Sequence, residues 1–428
     1  MTSVARWDVL ELPVSGPTGV QFRHPSGATA YAESFQSGES WLVRFSPDLE
    51  GEWTYDGGRF TCTPATSHGP VRRAGTTLRW ADGTPYHPLT TSWFGRPDQW
   101  AAARPAIAAS PFNRVRLAFS KALEDQVRDL LTAGIVADVI LPLDEPTIRA
   151  TVNRLSAYRN ITWCLSPTPV AADVRRLAEL IAELDPSHHL ISMHEATDPG
   201  PPWLTHLSVR LENLRGVSAL RRDHAKPVFV DACGHEGNGT TPDTSLRPEE
   251  MLTRIWEGTV RGAHVTHAEW YVAPQPTADP QQSSGGAEQS SGGAEQSSGG
   301  AEQSSGGAEQ SSGGTVPWSA GGSRPTGVVA QRLRLLREVL DEMPDGVEPI
   351  DDYRDAPTLA VPGSYYLQYL GEHQFPDRTF SLPDGVYDVD VLDVWNHSVR
   401  RTRETVTGTL TVRLPGTQYQ AIQIRRTS

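Results

Sequence analysis

The sequence predicts a chain of three domains, in which a (β/α)8 barrel lies between two β-sandwiches. Three observations lead to this prediction. Residues 1–76 contain short alternating apolar segments, residues 77–345 alternate between strand and helix patterns, and residues 346–428 return to alternating segments. At 428 residues the chain is also too long for one ordinary core, so several domains are expected.

The two end domains are predicted from segments in which apolar and polar residues alternate. In the first domain these segments are "WDVLELPV", "TAYAESF", "WLVRFSP", "GEWTYD" and "GRFTCTP", and Gly, Pro and Ser clusters separate them. The last domain contains "YYLQYL", "YDVDVLDVW" and "GTLTVRL". Short strands at this spacing are typical of all-β sandwiches.

The central domain is predicted to contain eight strands. They are "YHPLTTSW", "FNRVRLAF", "IVADVILPL", "ITWCLSP", "HLISMHE", "LTHLSVRL", "KPVFVDA" and "HVTHAEWYV". Segments such as "LEDQVRDLLTAG", "AADVRRLAELIAELD" and "VVAQRLRLLREVLDEM" repeat apolar residues at three and four, which indicates helices between them. Eight such units predict a (β/α)8 barrel, whose functional groups lie at the C-terminal ends of its strands.

A repeat interrupts the central domain after the eighth strand. From Ser283 to Gly314 the heptapeptide "SSGGAEQ" occurs four times and is followed by "SSGG". A period of seven suggests a coiled coil, but the repeat has no apolar a and d positions to bury. Paired glycines and serines instead predict a disordered, flexible tether, either natural or engineered.

Composition and charge restrict the partners and the compartment. The net charge of -13 argues against nucleic acid and is compatible with neutral partners such as sugars. Three scattered cysteines (Cys62, Cys164 and Cys233) predict reduced thiols rather than a disulfide framework. The chain shows no signal-peptide pattern and no long apolar run, so we expect a cytoplasmic protein that has no contact with membranes. No cofactor is expected.

Many strings, in the same order along the chain, resemble bacterial three-domain glycoside hydrolases. They include "VRFSPDLEGEWTY" and "WADGTPYHPLTTSW" near the start, and "SPFNRVRL", "DPSHHLISMH", "KPVFVDACGHEGN" and "RIWEGTVRGAHVTHAEWY" in the barrel. "VPWSAGG", "DVLDVWN" and "VRLPGTQYQA" follow the repeat. The resemblance implies an N-terminal β-sandwich, a catalytic barrel and a C-terminal β-sandwich.

The resemblance also implies two catalytic glutamates, at the ends of strands four and seven of the barrel. One protonates the departing glycosidic oxygen and the other attacks the anomeric carbon or activates water. Here the acid/base position falls on Thr168 and the nucleophile position falls on Ala232. Neither side chain can donate a proton at neutral pH or form a glycosyl ester. We therefore expect a catalytically degenerate barrel.

Other polar and aromatic residues near the predicted strand ends are candidates for binding a sugar. They are Arg116, Trp163, His194, His206, Asp231, His235, His267 and Trp318. The resemblance implies that Arg116 orients the nucleophile in relatives, so here it needs another partner, either Asp231 or Glu236. Trp318 is the preferred stacking residue, because it lies in a loop at the functional end of the barrel.

Two further chemistries receive little support from the sequence. The histidines could bind a metal, but no HxH or HExxH spacing is present, so no metal site is expected. A nucleophilic pair of Cys233 and His235 is conceivable, although buried cysteines more often act as small apolar side chains.

Three functions remain open at this point. The first is a non-catalytic protein that binds carbohydrate at the mouth of the barrel. The second is an active glycosidase that uses substitute carboxylates, for which Glu236, Glu269 and Glu195 are the candidates. The third is a scaffold that pairs with an active relative.

Overall fold

The computed structural model describes residues 2–166, 174–195, 201–271, 318, 322, 324–350 and 356–427. β-Sheets form both ends of this part of the chain, and a ring of parallel strands surrounded by helices lies between them. The fold class predicted from the sequence is confirmed. The predicted tether at residues 283–314 lies outside the described residues.

The N-terminal domain is a sandwich of a five-stranded and a three-stranded sheet. Its strands are β1 (Thr2–Ala5), β2 (Leu10–Val14), β3 (Gly19–Arg23), β4 (Thr29–Glu33), β5 (Phe35–Ser37), β6 (Ser40–Phe45), β7 (Gly51–Tyr55) and β8 (Gly58–Thr63). Aromatic side chains from both sheets fill the space between them. Phe22 of β3 stacks on Phe45 of β6 with 4.1 Å between the ring centroids, and Trp53 packs beside both.

A hairpin follows the N-terminal sandwich and closes one end of the barrel. It consists of β9 (Val71–Ala74) and β10 (Thr77–Trp80), which pair antiparallel. Val71 and Leu78 of this hairpin pack against Val136, Leu190 and Phe229 in one apolar cluster. These last three residues lie at the N-terminal ends of barrel strands, so the hairpin seals the end opposite the mouth.

The central domain alternates between strands and helices. In chain order it comprises β11 (Thr90–Trp93), α1 (Trp100–Ala108), β12 (Arg114–Ala118), α2 (Leu123–Thr132), β13 (Val136–Leu141), α3 (Glu145–Leu155), β14 (Ile161–Leu165), α4 (Val174–Leu184), β15 (Ile191–Met193), β16 (Leu207–Arg210), α5 (Val217–His224), β17 (Val228–Ala232), β18 (Glu236–Gly237), α6 (Pro248–Val260), β19 (Ala263–His267), β20 (Glu269–Trp270) and α7 (Val329–Asp341).

Eight of these strands form a closed parallel ring. Their order is β15-β14-β13-β12-β11-β19-β17-β16, and a parallel bridge between His194 and Ser208 joins β15 to β16. The short strands β18 and β20 form a separate parallel pair beyond the ends of β17 and β19. All eight strands predicted from the sequence are members of the ring.

The C-terminal domain is a sandwich of a six-stranded sheet and a two-stranded sheet. Its strands are β21 (Glu348–Pro349), β22 (Thr358–Val361), β23 (Tyr365–Tyr369), β24 (Asp377–Ser381), β25 (Gly385–Asp393), β26 (Ser398–Val406), β27 (Thr409–Arg413) and β28 (Gln420–Arg426). One apolar core continues from this domain into the barrel helices. Trp256 of α6 stacks on Tyr369 at 5.7 Å, and Arg332 of α7 lies over the Trp395 ring.

The N-terminal sandwich contacts the barrel through polar side chains. Arg44 of β6 donates to Glu124 of α2 at 2.7 Å and to the carbonyl oxygen of Arg154 at 2.9 Å. Glu33 accepts hydrogen bonds from Arg149 and Asn153 of α3. Both end domains are therefore held against the outer helices, and neither of these contacts involves the strand ends at the mouth.

Alternation along each strand places polar side chains inside the barrel. Arg116 of β12, Asp138 of β13 and Asp231 of β17 are buried and contact one another there. His206, one residue before β16, is also inside, where its ring packs 4.8 Å from that of Phe229. His206 is fully buried, so the prediction that it binds substrate at the mouth is wrong.

Burial of His206 predicts a pH dependence of stability. Burial and the nearby Arg114 cation lower the pKa of His206 to about 4, from an ordinary value of 6.5. Between these values the unfolded chain takes up a proton that the folded protein does not, so stability falls as the pH drops from 7 towards 4. This one histidine lowers the free energy of unfolding by about 3 kcal/mol when the pH drop is complete.

Chemical denaturation at pH 7 and pH 4.5 tests this expectation. In the His206→Gln variant the stability difference between the two pH values should shrink by about 2–3 kcal/mol, because glutamine does not titrate. His373→Gln, at an exposed position, is the matched control and should leave the difference unchanged. An equal pH dependence in the wild-type and His206→Gln proteins would contradict the assignment.

Candidate functional site

The mouth of the barrel is bounded by the C-terminal ends of the eight parallel strands. Among the described residues, His194 and Glu195 follow β15, Arg210 ends β16 and Ala232 ends β17. The His194 side chain is 21% exposed and those of Glu195 and Arg210 are more open. Glu195 also adopts a left-handed backbone conformation, with φ at 50°. The side chains of these three residues are accessible polar groups at the mouth.

Below the mouth, four charged side chains are buried together. Arg114 and Arg116 project from β12 towards Asp138 of β13 and Asp231 of β17. Asp138 receives the closest contacts, at 2.8 Å from Arg114 and 3.0 Å from Arg116. Asp231 lies 3.3 Å from Arg116 and 3.6 Å from Arg114. Two positive and two negative charges therefore balance inside the barrel, as burial in a low-dielectric interior requires.

Hydroxyl groups of neighbouring strands complete this charge cluster. Ser208 and Thr266 donate to the two oxygens of Asp231 at 2.6 and 2.7 Å. Thr162 donates to Asp138 at 2.8 Å. Burial acts to raise the pKa of Asp231, but Arg116 and then Arg114 outweigh it and hold that pKa well below its usual range. Asp231 is thus held as a carboxylate beside the two arginines.

His194 connects the charge cluster with the mouth. Its Nδ1 lies 3.3 Å from one terminal nitrogen of Arg116 and 3.4 Å from the other. Burial and the Arg116 cation lower the pKa of His194, so a neutral imidazole accepts from the guanidinium. The Nε2 of His194 faces Glu195 Oε1 at 3.7 Å. Of the predicted partners for Arg116, the structure supplies Asp231, together with Asp138, and not Glu236.

Glu236 and Glu269 are adjacent in space and face the beginning of α7. Backbone N–H groups at the start of a helix have no intrahelical partners, and here the two carboxylates accept hydrogen bonds from the amides of residues 326–329, which precede and begin α7. The bonds are Thr326 N and Gly327 N to Glu269 at 2.6 and 2.9 Å, and Val328 N and Val329 N to Glu236 at 2.8 and 3.3 Å. At Gly327 the fit is so close that a Cβ would overlap the Glu236 carboxylate.

The pKa values of this carboxylate pair diverge, as those of an acid and a nucleophile do in a glycosidase. Burial raises the pKa of Glu269. It acts in the same direction on Glu236, but the nearby His267, whose Nε2 is 3.8 Å from Oε2, and hydrogen bonds from the Val328 amide and Tyr271 outweigh it and lower that pKa. Both side chains are nevertheless completely buried, and their oxygens face the first turn of α7 instead of an open cleft. Of the three candidate substitute carboxylates, Glu236 therefore caps α7 and Glu269 holds the backbone just before it.

Glu236, His267 and Glu269 are also the group of described residues that comes closest to a metal site. Their potential ligand atoms all lie within 4.8 Å of one another. The carboxylate oxygens, however, already accept backbone N–H groups at the positive end of the α7 dipole, where an anion is favoured and a cation is repelled. The arrangement suits a helix cap better than a metal.

Two tryptophans predicted to line a sugar groove are buried in the layer between strands and helices. Trp163 of β14 is fully buried and donates to Asp185 at 2.9 Å. Trp318 is also fully buried and donates to Thr91 Oγ1 at 2.8 Å. The prediction that they bind substrate is wrong, because both rings lie on the outer face of the barrel wall, within the apolar core.

His267 also points outwards from the barrel wall. It is fully buried, and its ring stacks on Phe112 with 5.1 Å between centroids. The alternation that placed Thr266 on the opposite face is correct, since Thr266 reaches Asp231 inside the barrel. His267 therefore cannot contact a ligand at the mouth, and its predicted role in substrate binding is wrong.

The end of β17 and the loop after it hold neither a glutamate at position 232 nor a reactive pair of Cys233 and His235. Ala232 occupies the strand end, and Cys233 is buried against Met251. Burial raises the pKa of Cys233 to about 12, so it carries no thiolate. His235 is half-buried, with Nδ1 3.1 Å from the carbonyl oxygen of Asp243. All three cysteines are free and buried. Thr168, at the predicted acid/base position, lies outside the described residues.

The sequence interpretation missed two exposed aromatic residues on the rim of the mouth. Phe94 follows β11 and is 42% exposed, and Phe119 follows the neighbouring strand β12 and is 47% exposed. Val328, at the beginning of α7, is exposed as well. Phe94 follows the predicted strand "YHPLTTSW" and Phe119 ends "FNRVRLAF", so the sequence showed their positions at strand ends but not their exposure.

Comparisons with known proteins agree with this architecture. The solved structure described as a "putative glycoside hydrolase" from Bacteroides vulgatus ATCC 8482 aligns over 100% of both chains, with a TM-score of 0.81 and 23% identity. A family 5 glycoside hydrolase from the same organism aligns over 84% of this chain and 94% of its own, with a TM-score of 0.58 and 10% identity. At these identities the likeness establishes a glycoside-hydrolase-like fold.

A third solved structure aligns over the same share of this chain. A further structure described as "Glycoside hydrolase" covers 84% of this chain and 97% of its own, with a TM-score of 0.58 and 11% identity. Residues 354–425 match the family described as "Domain of unknown function (DUF5605)", which covers most of the C-terminal sandwich. The comparison with curated proteins gave no match. None of the described helices is long and apolar enough to cross a membrane.

Removing one charge from the barrel interior should strongly destabilise the protein. Asp231→Asn leaves two buried arginines with a single buried carboxylate, so the free energy of unfolding should fall by about 3–5 kcal/mol. Asp377→Asn, in the exposed pair with Arg413, is the control and should cost about 0–1 kcal/mol. Urea unfolding measures both. Equal losses in the two variants would show that Asp231 has no special role.

Loss of one helix-capping carboxylate should also destabilise the protein. In Glu236→Gln the amide NH2 group faces a backbone N–H, so one buried donor loses its acceptor at a cost of about 1–3 kcal/mol. Amide hydrogen exchange should accelerate at residues 328 and 329. Glu249→Gln, in the partly exposed first turn of α6, is the matched control. Unchanged exchange at the start of α7 in Glu236→Gln would disprove the capping role.

Proposed function

We propose that this protein binds carbohydrate at the mouth of a glycoside-hydrolase-like barrel and does not hydrolyse it. The observation that supports this most strongly is the position of Glu236 and Glu269. Hydrolysis requires two carboxyl groups on either side of the scissile bond, and these two are buried against the first turn of α7. The end of β17, where the resemblance implies the nucleophile, carries Ala232.

Two accessible acids at the mouth, Glu195 and Asp243, do not form a catalytic pair. Glu195 and Asp243 lie on either side of Arg210, which approaches them at 4.0 and 3.4 Å. Hydrogen bonds, first from Thr241, lower the pKa of Asp243, so it is ionised at neutral pH and cannot serve as a general acid. Glu195 alone cannot supply both roles.

The rim of the mouth offers a surface suited to sugars. Of the five large hydrophobic side chains that are exposed in the described part of the chain, Phe94, Phe119 and Val328 flank β11, β12 and α7 at the mouth. Flat aromatic rings stack on the C–H faces of sugars. His194, Glu195 and Arg210 supply hydrogen-bond donors and acceptors on the opposite strands. An apolar edge facing a polar edge is the usual composition of a ligand site.

Isothermal titration with a panel of cello-, xylo-, manno- and laminari-oligosaccharides tests binding. The Phe94→Ala/Phe119→Ala double variant should bind the preferred glycan at least about tenfold more weakly, because two stacking contacts are lost. Tyr31→Ala removes an equally exposed aromatic ring from β4 of the N-terminal sandwich and should leave affinity unchanged. Equal affinity in the double variant and the wild type would reject the mouth as the site.

A panel of aryl glycosides tests hydrolysis. The wild-type protein should show no turnover above the uncatalysed rate. Turnover that disappears in Glu195→Gln would restore the alternative of an active glycosidase with a substitute carboxylate. Failure to bind any glycan, together with co-purification with an active relative, would favour the scaffold alternative.

A further inference from the structure

The C-terminal sandwich leaves one long strand edge unpaired. Its larger sheet has the order β21-β22-β23-β28-β25-β26, so β26 lies at one end, and among the described strands only β25 pairs with it. β26 has nine residues, and its side chains are exposed or half-buried from Ser398 to Thr405. An edge strand presents backbone N–H and C=O groups that can pair with a further strand. This edge is therefore a candidate interaction surface.

β26 lacks several features that normally prevent edge-to-edge pairing. Proteins protect exposed edges with very short strands, prolines, bulges or charges. The opposite edge of the same sheet follows this rule, because β21 consists of only two residues, Glu348 and Pro349. In contrast, β26 contains no proline, and its nine residues pair with β25 without a register shift. Charged side chains remain on β26, so their arrangement decides which partner this edge accepts.

On one face of the sheet, the charges of β26 are already neutralised. Arg401 lies opposite Asp390 of β25 and donates to both of its carboxylate oxygens, at 2.7 and 2.8 Å. Arg403 lies opposite Asp388 and donates to both of its oxygens, at 2.7 and 3.2 Å. Bidentate pairs of this kind fix the orientation of the guanidinium group as well as balancing its charge. These two arginines are therefore held towards β25 and add little repulsion against a further strand.

On the other face, β26 carries one positive and one negative side chain, and neither forms an ion pair with the described residues. They are Arg400 and Glu404, and Thr402 lies midway between them. Arg400 donates to the carbonyl oxygen of Arg413 in β27, which leaves its charge unbalanced. All three residues of β26 line a cleft of about 160 Å³ between β26 and β27. The charges available to a partner are thus one cation and one anion, four residues apart.

We propose that two copies of this chain pair through β26, antiparallel and related by a two-fold axis at Thr402. In this register all nine residues of β26 have a counterpart, and Arg400 of each copy lies opposite Glu404 of the partner subunit. Thr402 lies opposite Thr402 of the partner subunit on the axis. Opposite charges and paired threonines directly across a strand pair stabilise it. Arg401 lies opposite Arg403 of the partner subunit, where the aspartates of β25 balance both charges.

Other two-fold registers of β26 fit less well. Moving the axis by one or two residues places a charged side chain opposite its own copy, which is destabilising. The residues concerned are Arg400, Arg401, Arg403 and Glu404. Each step of one residue also removes two residues from the paired segment. The register that uses the whole strand is therefore the one that matches the charges, which favours a second copy over an unrelated peptide. This interface is isologous and closes as a dimer.

Sedimentation velocity of the full chain, from low-micromolar to submillimolar concentrations, tests the dimer. R400E and E404R each place like charges opposite one another at two symmetric positions, so each should weaken association at least about tenfold. The double variant R400E/E404R restores opposite charges and should dimerise as the wild type does. An equimolar mixture of the two single variants should likewise associate more strongly than either alone. Arg59→Glu, at an exposed position of the interior strand β8, is the control and should have no effect.

Amide hydrogen exchange locates the contact. Alternate amides of residues 398–406 should exchange more slowly as the protein concentration rises, because pairing protects the N–H groups that point away from β25. A monomer at every concentration would overturn the proposal and leave the edge to an extended segment of another protein. A dimer that both single variants leave unchanged, or that neither the double variant nor the mixture restores, would overturn it as well. The proposal concerns assembly and does not depend on the ligand of the mouth.

Discussion

Buried charge is the constraint on which the centre of this protein depends. Arg114 and Arg116 lie inside the barrel, so two anions must accompany them, and Asp138 and Asp231 supply these. An isolated charge in such an interior would cost several kcal/mol. The pairing explains why the barrel is polar inside and why the aspartate on β17 is held as an ion. A residue whose charge is required for stability is not free to exchange a proton during catalysis.

Buried backbone amides also need partners, and this requirement accounts for the positions of Glu236 and Glu269. The amides that precede and begin α7 are buried and need acceptors, and Glu236 and Glu269 provide them from the loops after β17 and β19. In both cases an acid near the end of a strand stabilises the fold instead of facing a substrate. In a glycoside-hydrolase-like fold, Glu236 and Glu269 thus hold the backbone around the start of α7.

Much of the fold could be predicted from residue patterns, whereas the site could be predicted only in part. All eight barrel strands were predicted, because a buried parallel strand is a short apolar run whatever its neighbours are. Alternation also assigned Thr266 and His267 to opposite faces correctly. It could not show which face is the interior, so Trp163 and Trp318 were assigned to a groove although they pack against helices. Phe94 and Phe119 were missed because one aromatic residue does not reveal its own exposure.

By itself, the sequence determined the order of the elements and the barrel with β-sheets on either side of it, since each is a local property of residue type and spacing. Only the tertiary structure decided which backbone amides Glu236 and Glu269 bind. Glu269 and the amides it caps are 57 and 58 residues apart, and Glu236 and its amides are 92 and 93 apart. A hydrogen bond across such a separation depends on how the chain packs.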